Sequence, residues 1–306
     1  MIEISEVIFL GVTVSVSILD NSPLLERTYR LIALDLDGTL LRSDKTISPL
    51  TKEVLKKAQD KGFYIVVATG RHPYSAQRYL EQLDALNEKS CAIVFNGACE
   101  VSIDAYIKAH SEIDFPVLNA ECALGPEIRE ITALAHENGC KVHAYSRDRG
   151  LLIEDHNPYS QREIDHGQVS FTEVDFTKVK DEERFFKILI VGPKEQIDYV
   201  RPIVGDRFSK RFAVMRSDPN FLEFIPGPSS KGTALKALAK SLGVDLSECV
   251  AFGDAENDEE MLKNAGLGIA MGNADPGAKE ACDIVTLSND EDGIAIAVQK
   301  LLDNQG

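Results

Sequence analysis

The sequence predicts an α/β protein, a parallel-sheet domain interrupted by an inserted α+β module. Three observations carry this. Near-continuous apolar runs, LIALDLD (31–37), YIVVATG (64–70) and CAIVFNG (91–97), alternate with helical periodicity. That rhythm breaks near residue 110 into mixed segments and resumes after Gly227. The 306 residues are enough for two domains. Strands that read as continuous apolar runs are buried on both faces, which is the habit of parallel sheets built from right-handed βαβ units.

The elements follow in order. Residues 1–28 form an N-terminal extension, with an apolar stretch, VIFLGVTVSVSIL, at 7–19. It is shorter than the ~20 residues that span a bilayer. Glu3 and Glu6 stand where a secretory signal would carry positive charge. An added edge strand and an extension without fixed structure both fit it. After the first core strand, Ser48 and Pro49 make a cap and first-turn pair for a helix that Gly62 ends, with Leu50, Val54 and Ala58 on one face. A second helix is expected at 75–83.

Residues 29–111 and 227–306 form the core domain, and 112–226 the insert. In the insert, 123–139 reads as a helix, 142–146 and 150–155 as antiparallel strands, 184–192 as a strand and 195–204 as a helix. Segments 213–217 and 221–226 make a hairpin around Asp218-Pro219-Asn220. The core then resumes with a helix at 231–243, a strand at 249–254, a helix at 257–266 and short strands at 267–271 and 283–287.

Composition excludes some functions. With 33 basic and 49 acidic residues the net charge is −16. Nucleic acids are bound through basic surfaces, so they are not an expected partner. A phosphorylated substrate must be held by a local device, such as a metal or a few aimed donors, against that global field. Six scattered cysteines without a CxxC pair read as reduced thiols of an intracellular protein, and dispersed histidines suggest no zinc site.

Ligands of open parallel sheets bind beyond the carboxyl ends of the strands. There the sequence places Asp35 and Asp37, then Thr69 and Gly70, then Asn96 and Gly97, then Asp254 with Asn257 and Asp258 following, and Lys231 opening the preceding helix. Each alone has an ordinary explanation: aspartates cap turns, Thr-Gly is a common turn, and an acidic helix start suits the dipole. Together they supply a nucleophile, a hydroxyl, a cation and metal ligands on one rim. Three converging carboxylates require a compensating cation, and oxygen ligands without His or Cys select Mg²⁺.

DLDGTLL (35–41), ATGR (68–71), SKG (230–232) and GDAEND (253–258) resemble the four motifs of the haloacid dehalogenase superfamily, in its Cof-type phosphatase branch. The resemblance runs from about Tyr29 to the C-terminus and implies a Rossmann-like core with a type II (C2B) α+β cap in the inserted position. It implies that Asp35 attacks phosphorus to form an aspartyl-phosphate. Asp37 then serves as acid and base. Asp35, Asp37 (through its backbone carbonyl) and Asp254 would hold Mg²⁺. Leu36, Thr69, Gly70, Lys231 and Asn257 would form the phosphate-binding set, and Asp258 would orient Lys231 or a metal-bound water. The extension departs from the family pattern, which normally starts almost directly with the nucleophile strand.

Asp37 separates the competing activities. By the same resemblance, the superfamily's dehalogenases do not require an acid there and its ion pumps carry threonine, so the expected enzyme is a Mg²⁺-dependent phosphatase. A phosphosugar mutase and a non-catalytic phosphometabolite-binding protein are the alternatives. The substrate is expected to be a small phosphorylated metabolite: a sugar phosphate, or a phosphorylated cofactor such as pyridoxal phosphate or FMN. Asn96, His143, Tyr145, Arg147 and Tyr159 are the candidate specificity residues. No nucleic acid or membrane partner is expected, only a monomer or weak homodimer in the cytoplasm, with organellar targeting by residues 1–28 left open.

Overall fold

The structure is a computed structural model, and residues 8–9, 12–13, 27–83, 91–102, 117–167 and 169–304 are described. The chain opens with β1 (Ile8–Phe9) and β2 (Val12–Thr13), paired antiparallel with each other. The rest of the N-terminal extension up to residue 26 lies outside the described residues. Next come β3 (Leu31–Asp35), α1 (Pro49–Asp60), β4 (Tyr64–Ala68), α2 (Pro73–Gln82), β5 (Cys91–Val94), β6 (Cys99–Ser102) and β7 (Val117–Ala120). These are followed by β8 (Ala123–Leu124), α3 (Gly125–Glu137), β9 (Lys141–Ser146), β10 (Gly150–Ile153), α4 (Pro158–Gly167), β11 (Phe171–Glu173) and β12 (Arg184–Val191). Then follow α5 (Lys194–Phe208), β13 (Phe212–Asp218), β14 (Phe221–Pro226) and α6 (Lys231–Ser241). The chain ends with β15 (Cys249–Gly253), α7 (Glu259–Asn264), β16 (Leu267–Ala270), α8 (Pro276–Ala281), β17 (Ile284–Val285) and α9 (Gly293–Asn304).

Two compact units result, one of residues 1–68, 79–91 and 235–306, the other of 69–78 and 92–234. In the first, β17-β16-β15-β3-β4 form a wholly parallel array. Every residue of β3 and β15 is buried, as the continuous apolar runs require. Ser48 caps α1 by accepting the Thr51 amide N–H, and Pro49 occupies the first turn. The buried face of α1 is Thr51, Val54, Leu55 and Ala58, while Leu50 is 45% exposed. The expected Leu50–Val54–Ala58 stripe is therefore rotated by a residue at its start, because the helix begins at Pro49 and its first turn projects into solvent.

In the second unit a mostly antiparallel sheet runs β11-β10-β9-β12-β14-β13, with β8 also on β12. Alternation along the strands divides its faces. Val142, Ala144, Ile188, Ile190, Leu222 and Phe224 pack with Ile128, Ile131, Ala135, Ile197, Val200 and Val204 of α3 and α5 into one core. Each Val, Leu, Ile or Phe side chain among them, once fully buried, contributes roughly 1.5–3 kcal/mol. Tyr145 and Lys187, facing partners on β9 and β12, and Glu223 of β14 fall on the other parity. The β13–β14 hairpin forms around Asp218-Pro219-Asn220 as the turn residues demand.

All six cysteines are free. No helix among the described residues is long and apolar enough to cross a membrane.

Candidate active site

β3 ends at Asp35, two residues earlier than its apolar run suggests. The chain then turns: the Leu40 N–H donates to Asp35 O at 3.1 Å and the Leu41 N–H to Leu36 O at 2.8 Å. Gly38 sits at φ 84° in this turn, where a Cβ would fall 2.3 Å from Asp254 Oδ2. The backbone can therefore approach that carboxylate only without a side chain. Thr39 donates its hydroxyl to Asp254 Oδ1 at 2.8 Å, and Asn273 Nδ2 donates to Gly38 O at 2.8 Å.

Leu34 faces Phe252 across the β3–β15 pair, so Asp35 and Asp254 leave the sheet side by side. Asp35, Asp254 and Asp258 each present an oxygen, and the three oxygens lie within 4.8 Å of one another. Asp35 is 6% and Asp258 0% exposed. Two ionised carboxylates at that separation repel by roughly 3 kcal/mol at an effective dielectric of about 20, and here there are three pairs. A hard divalent cation fits this oxygen set and relieves the repulsion, as Mg²⁺ would.

Asp35 and Asp254 converge, but the Asp37 carboxylate does not join them; its Oδ1 pairs with Lys45 Nζ at 2.8 Å, with both side chains about half exposed. Asp37 lies within the turn that follows β3, with its side chain at the surface. The expected Asp37 ligand atom, its backbone carbonyl, is a separate matter from this pairing. The third carboxylate of the cluster is that of Asp258. Its Oδ2 accepts the amide N–H groups of Asp254 and Ala255 at 3.0 and 3.1 Å, which fixes the carboxylate against the loop. Asn257 and Asp258 lie in a short 3-10 turn, Glu256–Asp258, ahead of α7 rather than in its first α-helical turn.

The second unit holds the other motif residues. The backbone pairs beyond β4 and β5: Thr69 N–H donates to Ile93 O at 2.8 Å, Asn96 N–H to Thr69 O at 3.0 Å and Phe95 N–H to Arg71 O at 3.2 Å. Thr69, 1% exposed, accepts the Arg71 N–H on its own Oγ1 at 3.1 Å. Phe95, Asn96 and Gly97 are successively at φ 52°, 55° and 96°, so β5 stops at Val94. Left-handed backbone costs roughly 1–2 kcal/mol at each non-glycine residue and persists only where surroundings impose it. Phe95 is wedged among His72, Tyr145 and Phe186, with ring centroids 5.0–5.5 Å away. Lys231 is 1% exposed at the first turn of α6, which Ser230 caps by accepting the Thr233 N–H at 2.9 Å.

The candidate specificity residues are placed differently from one another. His143 is 0% exposed, and neither ring nitrogen has a hydrogen-bond partner; burial pushes its pKa down to about 4, so it is neutral. Tyr145 is buried and donates its hydroxyl to Glu163 at 2.7 Å. Asn96 is buried and donates from Nδ2 to Glu223 Oε2 at 3.0 Å. Arg147 and Tyr159 are half-buried, Arg147 at the end of β9 and Tyr159 in the first turn of α4. Sequence reasoning missed Thr39, Lys187 and Glu223. The two charges had a signal, since each interrupts an otherwise apolar strand, RFFKILIV and FLEFIP.

Comparison with known proteins gives the family. The family model described as haloacid dehalogenase-like hydrolase matches residues 32–298. Among curated proteins, "Putative phosphatase YxeH" of Bacillus subtilis is 29% identical over 278 residues, covering 90% of this chain and 98% of that protein. The HMP-PP phosphatase of Serratia proteamaculans is 32% identical over 253 residues, covering 82% and 86%. A crystal structure of a haloacid dehalogenase-like hydrolase from Bacteroides thetaiotaomicron superposes with a TM-score of 0.78 at 31% identity, over 90% of this chain and all of that one. Motifs, parallel sheet, acidic cluster and these matches together place the chain in the haloacid dehalogenase-like hydrolases, as a Cof-type member.

Proposed function

We propose that this hydrolase is a Mg²⁺-dependent phosphatase of small phosphorylated metabolites that works through an aspartyl-phosphate on Asp35. The observation that carries the reading is the cluster of Asp35, Asp254 and Asp258. The relatives named as phosphatases support the reaction class.

In this reading an Asp35 oxygen attacks phosphorus in line. The bond to the leaving alkoxide breaks, and Asp37 delivers the proton that neutralises it. Asp37 then takes a proton from water as that water attacks the phosphorus of the acyl-phosphate; orthophosphate leaves and the Asp35 carboxylate is regenerated. Asp37 suits both tasks because its side chain is half exposed, within reach of solvent for the proton it gives and the proton it takes. Leu36 and Gly70 contribute backbone amides, Thr69 a hydroxyl, Lys231 a cation and Asn257 an amide to the phosphoryl oxygens. The dominant need is electrostatic stabilisation of phosphoryl transfer, and such donors supply it. When bound, the cation held by Asp35, Asp254 and Asp258 would neutralise charge on the transferring group. Residues 112–226 act as the cap that admits the substrate, with Arg147 and Tyr159 as its half-buried candidates for contact.

The test measures orthophosphate released from a panel of sugar phosphates, pyridoxal phosphate, FMN and p-nitrophenyl phosphate. Hydrolysis of at least one by the wild type, abolished in Asp35→Asn with an unchanged circular dichroism spectrum, supports the reading. Undiminished turnover in that variant removes Asp35 as the nucleophile.

A further inference from the structure

Lys187 is an unusual residue for the middle of an apolar strand, 3% exposed and with both carboxylates of its ion pairs buried as well. Its Nζ lies 3.2 Å from Glu223 Oε1 and 3.7 Å from Glu163 Oε1. It also sits 5.2 Å over the Tyr145 ring. Burial works against its charge, but Glu223 and Glu163 more than offset that and hold its pKa raised, so it stays an ammonium. Such groups are expensive to bury and need a full set of partners.

Following the partners outward leads to the Thr69–Gly70 turn. The Lys187 ammonium donates to Gly70 O at 3.3 Å, and Glu223 accepts Asn96 Nδ2 on its second oxygen at 3.0 Å. The ring closes on itself: a Cβ on Gly70 would fall 2.9 Å from Asn96 Nδ2. Gly70 has no side chain to restrict it, so its backbone needs outside restraint. The peptide that follows it is held at both ends, its carbonyl by Lys187 and its N–H by Thr69 Oγ1. With Thr69 Oγ1 accepting that N–H, its own proton is left to point elsewhere. At the other end Asn96, in left-handed backbone, is anchored by Glu223 through its side chain and by Thr69 through its N–H.

We propose that Lys187 and Glu223 are positioning residues that hold the Thr69–Gly70 turn in the geometry needed to bind a phosphoryl group, with Asn96 as their link rather than a reader of substrate identity. The inference rests on the reading of Thr69 and Gly70 as phosphoryl-binding groups. It also explains why a buried cation is kept where an apolar residue would pack. Its charge never touches the substrate; it sets the direction of the donors that do.

The test uses the full chain and inorganic phosphate as the probe, by inhibition of p-nitrophenyl phosphate hydrolysis, at a temperature where circular dichroism shows every variant folded. Glu223→Gln keeps the side-chain shape and is expected to raise the inhibition constant of orthophosphate about tenfold, as for loss of one charge-assisted hydrogen bond. Lys187→Met should do the same, Lys187→Arg should recover part of the loss, and the double variant should be no worse than the single ones. If Lys187→Met does not fold, Glu223→Gln alone decides. A lowered melting temperature with an unchanged orthophosphate constant in the folded variants would mean a merely structural pair and overturn the proposal. Thr69→Ala serves as the control. If it weakens orthophosphate while Glu223→Gln does not, the proposal fails and the phosphoryl-binding reading stands. If Thr69→Ala changes nothing, that reading fails and takes the proposal with it.

Discussion

Gly38 and Asp254 stand so close that a single methyl group on the first would fall 2.3 Å from a carboxylate oxygen of the second. The turn after β3 and the loop after β15 are therefore fitted to each other at the level of one hydrogen-for-methyl exchange. At φ 84° position 38 is also strained for any other residue. Gly38→Ala should accordingly reduce Mg²⁺ affinity by an order of magnitude or more and destabilise the fold by about 1–3 kcal/mol. Isothermal titration with Mg²⁺ and urea unfolding are the measurements; wild-type values in both would show that the turn gives way.

Asp258 accepts two backbone amides on Oδ2, and its carboxylate also belongs to the acidic cluster. Asp258→Asn keeps an acceptor for the amides and removes the charge. Mg²⁺ affinity should fall about 10–100-fold with little loss of stability. An unchanged Mg²⁺ titration would remove Asp258 from the ligand set.

For Asp37 the expectation is the reverse. Its carboxylate pairs with Lys45 at the surface and stands outside the cluster. Asp37→Asn should lower turnover by at least about 10²-fold, the scale of acid–base catalysis, and leave Mg²⁺ affinity intact. Exposed ion pairs are worth at most about 1 kcal/mol, so Lys45→Ala should scarcely move the melting temperature. Weakened Mg²⁺ binding in Asp37→Asn would instead place that carboxylate among the ligands.

Glu100, 6% exposed, has its carboxyl pushed up to about 7 by burial. The folded protein thus keeps a proton that the unfolded chain has already released above about 4.5. Its contribution is complete below that pH and drains away as pH rises to about 7. One proton corresponds to a slope of at most about 1.4 kcal/mol per pH unit. Glu100→Gln should flatten this fall in urea titrations between pH 5 and 7.5; an identical slope in the variant would assign the dependence to other groups.

His143 acts in the opposite sense. Burial lowers its pKa to about 4, so acidification below its ordinary value of 6.5 protonates the unfolded chain first and stability falls as pH drops. His143→Leu should remove that acid sensitivity and add roughly 1–3 kcal/mol by deleting unpaired buried nitrogens. Turnover of p-nitrophenyl phosphate should be retained. Loss of kcat/KM without loss of stability would return His143 to the substrate-contacting residues.

The parallel sheet could be read from the sequence because strands buried on both faces announce themselves as unbroken apolar runs. Their ends could not, because a run of apolar residues does not say where the backbone turns. That is why β3 stops at Asp35, β4 at Ala68 and β5 at Val94, each short of the apolar stretch that suggested it. Asp35 and Asp254 were legible as partners from the order of motifs along the rim. That the Asp258 carboxylate joins them was not legible, since its placement depends on a 3-10 turn that spacing alone cannot distinguish from the start of a helix. The terminal helix α9 had the plain signature of Ile294, Val298, Leu301 and Leu302 on one buried face, and could have been named. The roles of Lys187 and Glu223 depend on which strands neighbour one another, and pairing in a mixed sheet is a tertiary fact.

The adjacency of β3 and β15 has a consequence for synthesis. Leu31–Asp35 is synthesised more than two hundred residues ahead of its hydrogen-bonding neighbour Cys249–Gly253. Contacts that distant are slow to form and leave an unfilled strand edge waiting in the meantime. The nascent polypeptide therefore carries Asp35 through the synthesis of that whole stretch without Asp254 and Asp258 beside it, so the acidic cluster assembles in one step once the second strand docks.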